Sequence, residues 1–271
     1  MRFSFLLAFF FSAAASAEAQ RIVATAPHLA ELVCAAGACE RLVGVAAYTD
    51  YPESVAALPK VADAHGVNAE ALLALKPDLV LTWDGGSPQS ALDALAKLSV
   101  PSRALRIRKL DDIAAAVEQL GEWLGTAETA RAVAERFRAD LARLSARYGR
   151  GAKLRVMYQI ENSPIYSVNR DSPISQAITV CGGVNVFAEL PQLAAPVSRE
   201  SVMAMNPDAI VFARQDDVKR IRDDWSRWPE LKAVRDNHLF AVNADLLARA
   251  TPRMIEGISE LCSLMDFARS K

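Results

Sequence analysis

A fourteen-residue segment occurs twice in this chain, 130 positions apart. Val67-Asn68-Ala69-Glu70 runs through Ala74 to Pro77-Asp78-Leu79-Val80, and Val197-Ser198-Arg199-Glu200 runs through Ala204 to Pro207-Asp208-Ala209-Ile210. Val, Glu, Ala, Pro and Asp coincide in register, and most other apolar positions exchange only for apolar residues. Solenoids and arrays repeat every ~20–50 residues, so a period this long points instead to two lobes of similar build. Each copy reads as a short helix with its Glu near the start, stopped before a proline and followed by an apolar strand. The runs Leu79–Thr82 and Ala209–Phe212 lack alternation, as strands buried on both faces of a parallel sheet do.

The pattern between and around the copies is α/β. Strand-like runs at Arg21–Ala26, Leu42–Ala46, Leu79–Thr82 and Arg103–Ile107 alternate with helical ones at Pro27–Gly37, Ala69–Leu75 and Pro88–Leu98. From Leu110 to Tyr148 helical spacing takes over, with Gly125 ending a first helix and Thr126 as N-cap of a second. Alternation resumes at Leu154–Gln159, with a helix over Pro173–Val180, a strand at His238–Val242 and a closing helix over Pro252–Phe267. A polar stretch with Arg220, Arg222 and Trp225 has helical character but no evident place. The expected organisation is a signal peptide over 1–19, an N-terminal α/β lobe over 20–108, a helical connector with a long backbone helix over 109–150, and a C-terminal α/β lobe over 151–271.

The signal-peptide reading rests on Arg2, the mostly apolar run Phe3–Phe11, and small residues offering A-x-A sites at Ala15-Ser16-Ala17 or Ala17-Glu18-Ala19. That run is shorter than the ~20 apolar residues of a membrane span, and no cysteine follows it to carry a lipid. A free, exported, monomeric chain is expected. Its 31 basic and 32 acidic residues create no field that would recruit nucleic acid. In an exported chain, four cysteines read as disulfides rather than metal ligands. Three pairings are open by arithmetic; spacing favours Cys34 with Cys39, which closes a small loop around the helix end at Gly37, and Cys181 with Cys262.

No catalytic signature is present: no G-x-S-x-G elbow, no phosphate loop with a following Lys, no H-E-x-x-H helix. The glycine pairs Asp84-Gly85-Gly86 and Cys181-Gly182-Gly183 read as turns at element ends. Ligand-contacting residues are expected at strand ends, where open parallel sheets present their loops. Tyr48 and Trp83 end two such strands, Tyr166 follows the first strand of the second lobe, and Asp245 with Arg249 follows the last.

The run Tyr48-Thr49-Asp50-Tyr51-Pro52, the first repeat copy with Trp83-Asp84-Gly85-Gly86, Val180-Cys181-Gly182-Gly183 with Asn185, the second copy, and Arg249-Ala250-Thr251-Pro252-Arg253 resemble the periplasmic cobalamin-binding proteins of ABC importers. The resemblance covers nearly the whole chain after its first residues. It implies two lobes joined by one long helix, little hinge motion, and a corrinoid held in the cleft without chemistry. By the same resemblance, Tyr48, Trp83, Tyr166, Asp245 and Arg249 match ligand-contact positions. Glu70 and Glu200 match lobe-tip residues that pair with arginines of the inner-membrane permease, which works with its ATPase complex, and Cys181 with Cys262 matches the family disulfide. Cys34 and Cys39 have no family counterpart. Three family aromatics are replaced here by Ala64, Ala194 and the pair Leu246-Leu247, the last expected to help cover the macrocycle.

Two other readings remain open at this level. The same fold could carry haem, with Tyr48, Tyr166, His28 or His65 as axial ligand, or a ferric siderophore, whose negative charge calls for several convergent arginines. A secreted zinc hydrolase would use His28, His65 and Asp50, in a spacing that fits no familiar ligand pattern.

Overall fold

A computed structural model describes residues 18–270. The signal-peptide segment falls almost wholly outside the described residues.

The first lobe is built from β1 (Ile22–Ala24), α1 (Pro27–Ala35), β2 (Leu42–Ala46), α2 (Glu53–Ala56), β3 (Lys60–Ala62), α3 (Ala69–Ala74), β4 (Leu79–Trp83), α4 (Gln89–Leu98) and β5 (Ser102–Leu105). Its five strands are parallel in the order β3-β2-β1-β4-β5. Next come the helices α5 (Leu110–Leu124) and α6 (Ala127–Tyr148). The second lobe follows with β6 (Leu154–Gln159), β7 (Tyr166–Val168), α7 (Pro173–Val180), β8 (Gly183–Asn185), β9 (Ala194–Pro196), α8 (Arg199–Met205), β10 (Ala209–Ala213), α9 (Val218–Ser226), α10 (Lys232–Arg235), β11 (Leu239–Val242), α11 (Ala244–Leu247) and α12 (Met254–Arg269). Four of its strands form a parallel sheet, β11-β10-β6-β8, while β7 and β9 pair antiparallel beside it.

Both faces of each sheet are covered, which explains the unbroken apolar strands. Leu79 and Leu81 of β4 turn into the main core while Val80 turns into a cluster with Leu72 of α3 and Leu95 of α4. In β10, Ala209 and Val211 face the main core, whereas Ile210 and Phe212 pack with Ile221 and Trp225 of α9. The period of two is thus intact although every position is apolar. The stretch left unplaced by sequence is α9, and the Trp225 indole N–H donates to Gln159 Oε1 at 2.8 Å.

The main core does not stop at the lobe boundary. It runs from Ile22 and Leu29 through Val117 of α5 and Phe137 of α6 to Val156, Val211 and Ile258. Gly125, in the left-handed region, ends α5 as read, and α6, with its 22 residues, spans about 33 Å. Thr126 stands at the N-cap position but does not cap: its φ of −113° and ψ of 30° turn the side chain away, and its buried hydroxyl has no hydrogen-bond partner.

The duplicated segment has a structural cause. Asp78 accepts the backbone N–H groups of Gln20 and Arg21 at the entrance to β1, at 2.8 and 2.9 Å. The Arg21 side chain reaches back to the Leu75 carbonyl at the end of α3. In the second lobe Asp208 accepts the N–H of Arg155 at the entrance to β6, at 2.8 Å, and the Arg155 side chain returns to the Met205 carbonyl, at 2.7 Å. The Pro-Asp of each copy therefore ties a strand entrance to a helix exit. Disulfides join Cys34 to Cys39 and Cys181 to Cys262, the second inside the main core.

Candidate functional site

The carboxyl ends of β1, β2 and β4 deliver His28, Tyr48 and Trp83, and the segment after β11 delivers Asp245 and Arg249. Trp83 is held on two sides. His28 meets its ring edge-on, with centroids 4.9 Å apart and planes at 79°, while a Cβ at Gly86 would stand 1.9 Å from its Cε3. Gly85 takes a φ of 88°, so this glycine pair both turns the chain and clears space for the indole. Tyr48, at φ 61°, projects with 86% of its surface exposed.

Arg249 draws these parts together. Its Nη1 donates to Glu31 Oε1 at 3.1 Å and to Asp50 Oδ1 at 2.5 Å, and its Nη2 meets Asp245 Oδ1 at 2.8 Å and the Tyr48 carbonyl at 3.5 Å. Arg253 lies over the Tyr51 ring, 3.6 Å from its centroid. The Arg249 hydrogen bond holds Asp50 below the usual carboxylate range. Burial, helped by the Arg249 charge, pushes His28 down to about 4, so its imidazole is neutral near pH 7. On the second lobe, Gln215 donates to Asp245 Oδ2 at 3.0 Å, and burial and then Glu161 push the neighbouring Asp216 up. Glu161, Asn162, Asp216 and Asp217 line a cavity of about 310 Å³ at the ends of β6 and β10.

The structure thus brings Tyr48, Asp245 and Arg249 into one cluster, while Trp83 packs against His28, whose ring feels the Arg249 charge. Tyr166 stands apart: it opens β7, half-buried, opposite Pro196 of β9. Sequence reading assigned Glu31 no functional role, and it named Asp50 within the strand-end run Tyr48–Pro52 and as a metal ligand without making it a ligand contact. Leu247 is a correction. Its side chain is fully buried in the main core, so only Leu246 of that pair is partly exposed. Ala64 and Ala194 are exposed.

Glu70 and Glu200 occupy the same position in α3 and α8. Asn68 and Ser198 cap the two helices through Ala71 N–H at 3.0 Å and Ser201 N–H at 3.1 Å, and each Glu lies exposed in the first turn beyond the cap. Hydrogen bonds from its own backbone and from Ser198 hold Glu200 below the usual carboxylate range. For the zinc reading, His28 faces Trp83 and His65 lies in the Asp63 turn. Among the described residues no group of three His, Cys, Asp or Glu side chains is placed to hold a metal.

The periplasmic binding protein family matches residues 22–246. This chain belongs to that family. It is 34% identical to the vitamin B12-binding protein of Vibrio parahaemolyticus over 255 residues, covering 93% of this chain and 91% of that protein. The vitamin B12-binding protein of Yersinia pestis strain Pestoides F is 37% identical over 248 residues, covering 91% of this chain and 86% of that protein. Among solved structures, the periplasmic vitamin B12 binding protein of Vibrio cholerae superposes with a TM-score of 0.84 at 32% identity, over 94% of this chain and 99% of that one. A periplasmic haem-binding protein in complex with two haems shares the fold, at a TM-score of 0.81 and 21% identity over 92% of this chain and 98% of that one. The two parallel-sheet lobes are therefore the family architecture, and the family is one of binding proteins.

Proposed function

We propose that this chain captures cobalamin or a related corrinoid in the cleft between its lobes, 20–108 and 151–271, and delivers it to an inner-membrane ABC permease. It works as an exported monomer whose leader is removed. The observation that carries the reading is the identity of 34–37% to vitamin B12-binding proteins along more than nine-tenths of the chain. The chemistry of the site supports it. Tyr48 and Trp83 offer apolar faces to a macrocycle, with Tyr166 contributing from the second lobe. Asp50 and Asp245 offer acceptors to the amide groups around its rim. Glu70 and Glu200, on matching capped helices, suit a two-fold symmetric permease.

The charge of the site argues against haem and ferric siderophores. Carboxylates of Glu31, Asp50 and Asp245 surround Arg249, so an anionic cargo meets more negative than positive charge there. Calorimetric titration of the purified chain with cyanocobalamin, dicyanocobinamide and haem tests the reading. Heat and a spectral change with either corrinoid, and none with haem, is the expected result. Silence with both corrinoids overturns it.

A further inference from the structure

Glu31 is an anomaly in its own helix. It lies within the buried run Leu29–Val33 of α1, and its side chain is only 2% exposed. A carboxylate in such surroundings is costly to bury unless its oxygens are fully hydrogen-bonded. Here they are, by three donors from the other lobe. Oε1 accepts from Arg249 Nη1 at 3.1 Å, while Oε2 accepts from Thr251 Oγ1 at 3.1 Å and from Arg253 Nη1 at 3.3 Å. These partners lie 218, 220 and 222 positions further along the chain. No local turn, cap or strand requirement accounts for them.

The arrangement decides what Arg249 can do. A guanidinium nitrogen Nη carries two hydrogens. Those of Nη1 go to Glu31 and Asp50, and Nη2 is engaged by Asp245, with Asp50 Oδ2 and the Tyr48 carbonyl at 3.4 and 3.5 Å. Arg249 has little left with which to grip a cargo. What it does instead is hold one carboxylate from each lobe, both of them open to solvent: Asp50 is 60% exposed and Asp245 40%. Each retains acceptor lone pairs that Arg249 does not use.

We propose that Glu31 is a positioning residue: it pins Arg249 across the lobe boundary, so that Asp50 and Asp245 stand as paired acceptors for N–H groups of an amide-bearing cargo. The proposal rests on the corrinoid reading and deepens it, naming the rim amides as the recognised groups and assigning Asp50 a contact that the sequence resemblance did not. The arrangement differs from a plain structural clasp. A clasp would affect stability alone, whereas a positioning residue couples to the groups it positions.

Calorimetry with dicyanocobinamide and cyanocobalamin on the full exported chain tests that coupling. Glu31→Gln and Asp245→Asn are each expected to weaken binding about tenfold, ~1.4 kcal/mol apiece. In combination the second change should add less than about twofold to the loss of affinity, because Asp245 has already lost its support through the shared Arg249. If the wild-type chain binds but the two losses multiply, or Glu31→Gln binds as wild type, the proposal is overturned alone. If the wild-type chain binds neither corrinoid, the reading and the proposal fall together. Asp50→Asn, an exposed change, keeps the test open should Glu31→Gln fail to fold: about tenfold weaker binding supports the acceptor pair, and unchanged affinity overturns it.

Discussion

Asp208 accepts the backbone N–H of Arg155 at 2.8 Å, tying the Pro-Asp turn after α8 to the first strand of its lobe. Asp78 does the same for Arg21, 130 positions earlier in the chain. Removing either carboxylate takes a partner from the backbone donors at a strand entrance, at a cost of about 0.5–1.5 kcal/mol because these donors are exposed. Asp208→Ala and Asp78→Ala should each lower the urea midpoint accordingly, since Asp78 holds two backbone donors and Asp208 holds one together with the Lys232 ammonium. Midpoints equal to wild type would deny the turns this role.

Glu70 and Glu200 are exposed in the first turns of α3 and α8. The double charge reversal Glu70→Arg with Glu200→Arg should abolish corrinoid uptake in cells while leaving calorimetric affinity within about twofold. Uptake that persists would remove these residues from the permease contact.

Gly86 makes room for the Trp83 ring, since an added Cβ would overlap its six-membered ring. Gly86→Ala should displace the indole, shift its fluorescence and weaken corrinoid binding about tenfold, with little change in melting temperature. Wild-type affinity in this variant would mean that Trp83 does not touch the cargo.

His28 supplies a pH dependence. Its pKa falls from 6.5 to about 4 in the folded chain, so below pH 6.5 the unfolded chain takes up a proton that the folded chain refuses. Its contribution is fully present above pH 6.5, is lost as the pH drops towards 4, and levels off below that. The loss is on the order of 3 kcal/mol. Asp50, whose pKa is lowered from 3.8, acts only in a more acidic window. Urea unfolding between pH 7.5 and 4 should show the slope in wild type and a flatter one in His28→Gln. Identical slopes would contradict the assignment.

Much of the fold was legible because its signals are local. Leu42–Ala46, Leu154–Gln159 and Pro173–Val180 were read with their observed limits, since apolar run, proline and glycine all lie within a few residues of one another. The strands β3, β7, β8 and β9 have three residues each, too few to display any period. Thr126 shows that a capping residue at the right position does not cap unless its backbone turns the hydroxyl inward. Of the candidate site, the strand-end positions of Tyr48, Trp83, Asp245 and Arg249 were legible. Glu31 was not, because its partners are more than 200 positions away. One local signal did exist: a carboxylate set among Leu29, Ala30, Leu32 and Val33, where a helix face has no use for charge unless something distant satisfies it.

The core that passes unbroken through α5 and α6 makes this protein a gauge rather than a trap. Jaws that share one packed interior cannot swing freely: parting them exposes apolar surface at ~25 cal/mol per Å², so each additional 100 Å² uncovered costs about 2.5 kcal/mol. A cargo held between such lobes meets a spacing set by the packed interior rather than by a swinging hinge.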